Sequence, residues 1–283
     1  SFFFFVPSPF FKIVIFPLNR PSHHFNYARP RLPDDFRKSA TNLKGLFDAN
    51  NRLTLDRIMH MQAELFPSLT SSIDVPIALL LLTDTLVALE ALTLEGIFRV
   101  SGHETELIQL RQQLNDGNFG VETPSDNNNN TTTTTNHNKA NNNTPHHIAN
   151  LFKEFLRNLK DPVIPSSLYE ECIKCAEDPR LVIKIVEDKL PPLNRRVLLF
   201  VITWLQDHLL NEQAQRLTRM DTENLSIVFA GCLLASPNPD SMPMEEILRN
   251  MQMQKRFVAS FSSQFDPLYP SFCLYLFYYL LYI

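Results

Sequence analysis

Glycine is the residue in shortest supply, and its scarcity narrows the fold most. The 283-residue chain has six: Gly45, Gly96, Gly102, Gly117, Gly120 and Gly231. That is about 2%, where ~7% is usual. Neither G-x-x-x-x-G-K-[ST] nor G-x-G-x-x-G can be assembled from these positions. The chain therefore has no standard loop whose backbone could cradle phosphates of its own nucleotide. Sandwiches and barrels with many glycine-rich hairpins are disfavoured for the same reason. With 44% apolar and 20% charged residues the composition suits an ordinary globular core of one or two domains. A net charge of −4 argues against a chain built to coat nucleic acid.

The four cysteines are Cys172, Cys175, Cys232 and Cys273, too few for a disulfide scaffold, so a reducing cytosol is the expected setting. Cys172 and Cys175 have no second pair or histidines at zinc-ligand spacing, and read as two helical cysteines one turn apart. The chain opens on Ser1 and reads as a piece of something longer. Residues 2–16 are Phe-rich, but Pro7 and Pro9 and the lack of a basic start make a poor signal peptide. Residues 1–47 read as a disordered, proline-interrupted lead-in whose cations offer at most a weak contact to anionic lipid. The aromatic, apolar tail 266–283 is shorter than the ~20 residues a spanning helix needs.

Between the ends the pattern is helical. Asp74-Val75-Pro76 predicts a helix start, and the apolar run that follows predicts a central, buried helix to about Leu92. Glu95 to Val100 reads as a short extended segment. Ser101-Gly102-His103-Glu104 has the spacing of a capping box, with Leu107, Leu110 and Leu114 at helical spacing behind it. Residues 126–144, DNNNNTTTTTNHNKANNNT, form a polar low-complexity tract with nothing to bury. Helices are expected at 54–65, 146–159, 166–176, 178–189, 193–213, 221–235 and 243–264. The fold class is all-α. One domain spans 52–265, with the tract 126–144 as an overgrown surface loop inside it.

No internal catalytic constellation appears. The eight histidines form no H-E-x-x-H, no G-x-S-x-G is present, and the carboxylates show no paired spacing. Arg99 is the odd residue. It lies in Leu94-Glu95-Gly96-Ile97-Phe98-Arg99-Val100-Ser101-Gly102, where two of six glycines bracket it and Ile97 and Phe98 can anchor the loop. Locally it reads either as a structural arginine paired with a carboxylate or as a functional one. Lys153 and Arg157, four residues apart, share a helix face opposite the stripe of Leu151, Phe152, Phe155, Leu156 and Leu159. Taken alone, that is a solvated face.

At these residues the chain resembles the RhoGAP domain, the helical module that activates Rho-family GTPases. EGIFRVSG at 95–102 is followed by LRQQLNDG at 110–117 and NLFKEFLRNLKDPVIPSSLYEE at 150–171. LPPLNRRVLLFVITWLQ at 190–206 and TRMDTENLSIVFAGCLL at 218–234 complete the series. The YEEC and MDTENL variants look most similar to activators with an upstream myosin-tail-homology domain. The resemblance implies that Arg99 is an arginine finger acting in trans, and that Gly96, Phe98, Ser101 and Gly102 support its loop. It implies that Lys153, Arg157, Asn224 and Cys232 face a GTP-bound Rho-family GTPase. It implies no cofactor or metal of the chain's own, because the GTPase holds GTP and Mg²⁺. A cytoplasmic place, with recruitment to membrane or cortex, follows from the same likeness. A binding module without catalytic power is the alternative.

Two departures stand out. Ala230-Gly231-Cys232 stands where the family usually has Gly-Pro-Asn, so a thiol replaces an amide at an expected contact. Lys160 replaces a proline usual before Asp161-Pro162.

Overall fold

A computed structural model describes residues 44–68, 73–117, 144–238 and 242–264. The tail, Cys273, all of the lead-in before Lys44 and all of the polar tract except Thr144 lie outside the described residues. Helices are the only regular secondary structure among those described. In chain order they are α1 (Leu55–Leu65), α2 (Ile77–Ala88), α3 (Glu104–Asn115), α4 (Thr144–Arg157), α5 (Tyr169–Cys175), α6 (Pro179–Asp188), α7 (Pro192–His208), α8 (Glu212–Thr218), α9 (Thr222–Leu233) and α10 (Met244–Gln264). No helix of the described residues is long and apolar enough to cross a membrane.

The run IALLLLTDTLVA makes α2 the centre, with Ile77 to Thr83 all buried. Its polar residues are dealt with internally: Thr83 and Thr85 donate their hydroxyls to the carbonyls of Leu79 and Leu81 at 2.9 and 2.7 Å. Asp74 does not cap this helix. Pro76 holds the cap position, and the free N–H of Ile77 donates instead to Oε1 of Gln62 on α1, at 2.7 Å. Asp74 pairs with Arg196 on α7 at 3.5 Å. A buried amide from another helix has taken over the task of a local carboxylate. The helix also stops at Ala88 rather than Leu92, because Glu90 turns left-handed at φ 52° and a 3₁₀ turn, Ala91–Thr93, follows.

The expected single helix 193–213 is two. The side chain of Asn211 accepts the N–H of Ala214 at 2.8 Å and starts α8 afresh, which is how an asparagine competes with a continuing helix. Order also begins earlier than residue 52. Leu46 and Phe47 are buried, and the backbone N–H of Phe47 donates to Oδ1 of Asn115 at the end of α3.

α3 and α4 flank the polar tract and pack on each other. Arg111 grips Glu154 through two hydrogen bonds, Nε to Oε1 at 2.5 Å and Nη2 to Oε2 at 3.0 Å. A bidentate guanidinium–carboxylate pair fixes orientation as well as distance. Beneath the loop that leaves α2, four rings from four segments converge. Phe98 lies 5.8 Å from Phe152 of α4, 6.1 Å from Trp204 of α7 and 5.3 Å from Phe229 of α9. All four are at most 1% exposed. This aromatic knot sets where the next feature stands.

Candidate functional site

Arg99 sits on a tight turn, and the extended segment expected over Glu95 to Val100 does not form. The N–H groups of Arg99 and Val100 both donate to the carbonyl of Gly96, at 2.9 and 2.8 Å. The turn needs left-handed backbone at Gly96 (φ 72°) and at Phe98 (φ 69°). Glycine takes that conformation freely, whereas a bulky residue does not, and such strain costs on the order of 1–3 kcal/mol. At Phe98 the cost is offset by complete burial of a large ring, which contributes about 1.5–3 kcal/mol. Ile97 and Phe98 anchor the loop as expected: adjacent side chains are both fully buried, so the backbone has to curl.

The turn is held at two backbone points. On one side the N–H of Gly96 donates to the carbonyl of Thr218, at the end of α8, at 2.7 Å. On the other, Nζ of Lys153 on α4 donates to the carbonyl of Phe98 at 2.5 Å. Between them Arg99 is exposed, and its guanidinium has no hydrogen bond or ion pair among the described residues. It lies back over its own turn: a Cβ at Gly96 would meet Val100 Cγ2 at 2.8 Å and Arg99 Nη2 at 3.5 Å. Rigid backbone beneath a free cationic tip is the local arrangement, and the carboxylate partner of a structural arginine is not there.

Lys153 and Arg157 share a face, but not an environment. Lys153 is only 9% exposed, whereas Arg157 is in solvent without a bonded partner among the described residues. Burial lowers the pKa of the Lys153 ammonium, and the Arg157 charge beside it pushes the same way. The reading of the pair as a solvated face fails for Lys153, because the Arg99 turn covers it. Cys232, expected on the exterior, is 3% exposed and its Sγ donates to the carbonyl of Val228 within its own helix. Burial pushes that thiol up to about 11, against the pull of Arg157 and Lys153. Cys232 thus lies under this face rather than on it.

Asn224 is half-buried near the start of α9, where its Nδ2 donates to the carbonyl of Arg219 at 3.3 Å. That bond braces the corner whose preceding carbonyl, on Thr218, receives Gly96. Ser101 does not cap α3. The cap position belongs to His103, and Ser101 stands two residues outside it, exposed. Gly102 is half-buried against α4. Sequence reasoning missed Thr218 and His147. A carbonyl 122 positions from its donor leaves no local signal, and adjacent histidines at a helix start resemble a solvated pair.

Comparison with known proteins gives the family. The model of the RhoGAP domain matches residues 76–238, more than half of the chain. GTPase activating protein homolog 3 of Dictyostelium discoideum is 27% identical over 76% of this chain and 14% of its own length. GTPase activating protein homolog 2 of the same organism is 30% identical over 77% of this chain and 22% of its own. The chain thus spans less than a quarter of the length of these relatives. The crystal structure of human Rho GTPase activating protein 15 overlays 86% of this chain and all of that one, with a TM-score of 0.59 at 19% identity. The fold is shared, the match runs through the Arg99 turn, and the chain belongs to the RhoGAP domain family.

Proposed function

We propose that this chain accelerates GTP hydrolysis by a GTP-bound Rho-family GTPase, with Arg99 as the finger inserted in trans. One observation carries the reading: an exposed guanidinium without a bonded partner on a backbone clamped from two sides. Phosphoryl transfer spreads charge over the oxygens of the γ-phosphate. A planar cation positioned beforehand stabilises that charge most where water is excluded. Its fork of N–H groups serves several oxygens at once, which a lysine ammonium does not. The nucleotide, Mg²⁺ and the attacking water belong to the GTPase. Arg157 supplies positive charge to the docking face and speeds encounter, while Lys153 and Asn224 hold the turn and its support. The module comprises residues 52–265, with Leu46 and Phe47 of the preceding segment packed into its core, and the tract 126–144 is a loop within it, since the helices on either side grip each other through Arg111 and Glu154. Its place of action is the cytoplasm.

The test is single-turnover GTP hydrolysis by Rho, Rac and Cdc42 with wild type and Arg99→Ala. The expected outcome is a rate loss of about 10³–10⁵-fold, ~4–7 kcal/mol, with a small change in half-saturating concentration. Equal acceleration by both proteins would remove Arg99 from the mechanism. The departure at Ala230-Gly231-Cys232, with its thiol buried, favours one second reading: a module that binds the GTPase without activating it. Capture of GTP-loaded GTPase without acceleration selects that reading.

A further inference from the structure

Gly102 is a glycine for want of space. Its φ is not among the positive values, so backbone conformation does not demand it. A Cβ there would lie 2.0 Å from His147 Cδ2, 2.2 Å from Nε2 and 2.9 Å from Cγ, all far inside contact distance. The ring cannot easily yield. His147 is 2% exposed, on the first turn of α4 where that helix enters the core. Its Nε2 has no hydrogen-bond partner and stands 3.6 Å from Glu106 Oε2 on α3, beyond hydrogen-bond reach.

The same helix therefore touches the Arg99 loop twice. Lys153 holds the carbonyl just before Arg99, and His147 abuts the backbone three residues after it. The two contacts are six residues apart, about 9 Å along the helix axis. From this we infer that His147 is a positioning residue for Arg99: with Gly102 it forms a matched pair that fixes where the loop leaves the site. The inference rests on the finger assignment, since what is positioned is that guanidinium. It adds a second, steric constraint to the hydrogen bond from Lys153. Bulk at residue 102 and bulk at residue 147 exclude each other, and the loop path is correct only when one of them is absent.

The test is a cycle of Gly102→Ala, His147→Ala and the double variant, each with and without Arg99→Ala. Maximal hydrolysis rate and half-saturating concentration are measured on the GTPase that wild type accelerates most among Rho, Rac and Cdc42. Melting midpoints are taken for every variant. Gly102→Ala is expected to lower the maximal rate roughly tenfold to a hundredfold, while the half-saturating concentration changes by no more than about threefold. The double variant should recover most of that rate and of the melting midpoint. With Arg99→Ala in place, neither change should lower the rate further.

Full rate in Gly102→Ala, or a double variant no better than Gly102→Ala, overturns the inference. So does an equal fractional loss in the Arg99→Ala background, which marks a merely structural role. If Gly102→Ala does not fold, the double variant decides: a folded and active one supports the pair, an unfolded one overturns it. Should wild type accelerate none of the GTPases, the finger reading fails by itself. Mutual rescue in the melting midpoints then still tells whether residues 102 and 147 are matched.

Discussion

The Arg99 turn and the Cys172–Cys175 turn of α5 are both short motifs that draw the eye in the sequence, and the fold treats them in opposite ways. At Arg99 the backbone is buried and clamped while the side-chain tip is free in solvent. In α5 the backbone is ordinary helix, and it is the reactive side chains that are buried. Burial pushes Cys172 up to about 12 and Cys175 up to about 11, and Cys175 spends its proton on the carbonyl of Cys172. A thiol held protonated is a poor nucleophile. Chemistry directed at a partner needs a fixed base with a free tip, and only the first turn has both.

The comparison can be broken in graded steps. The largest effect is the loss of rate in Arg99→Ala, which should leave the melting midpoint within experimental error, because the side chain packs on nothing but its own turn. Phe98→Ala comes next. It empties the middle of the aromatic knot and should cost about 3–5 kcal/mol of stability in denaturant titration. An unchanged midpoint would mean that the turn is not anchored by its ring. Lys153→Met keeps the bulk but leaves the Phe98 carbonyl unpaired. A cost of about 1–3 kcal/mol is expected, together with a fall in maximal hydrolysis rate greater than that seen for Arg157→Met.

The smallest step concerns the thiols. The folded state keeps Cys172, Cys175 and Cys232 protonated to about pH 12, 11 and 11, whereas an unperturbed thiol ionises near 9.0. Their folded values are raised, so the stability they confer is complete below pH 9 and declines as pH climbs toward 11. Lys153 works in the other direction: with its folded value lowered, stability rises with pH below 10.5. Three thiols oppose one ammonium, so melting midpoints should fall between pH 8 and pH 10. A rise over that interval would show that the cysteines are not protected as their burial implies.

Some of the residues that meet at the Arg99 turn could be picked out from the sequence. Two rare glycines around an arginine, followed by a Lys153–Arg157 pair at helical spacing, are local patterns, and local patterns survive in a sequence. What was not legible depends on partners far along the chain. Spacing places Lys153 and Arg157 on one face, but nothing local says that the Arg99 turn lies over the first and not the second. The left-handed Phe98 is invisible because burial in tertiary structure pays for it. Asp74 and Ser101 carry good capping signatures that tertiary structure overrides, through Gln62 in one case and through the later start of α3 in the other. The all-α class was plain from periodicity, whereas the break at Asn211 turned on one side chain accepting one N–H.

The clamp on either side of Arg99 has a consequence in time. With Gly96 and Phe98 tied down and the guanidinium resting over its own turn, the main freedom left to Arg99 is rotation about its side-chain bonds. Exposed side chains change rotamer in picoseconds to nanoseconds, far faster than loops refold or proteins meet. Under the proposed function, an arriving GTPase would find the arginine already cycling through its reach, and insertion would wait on encounter rather than on refolding of the Arg99 turn.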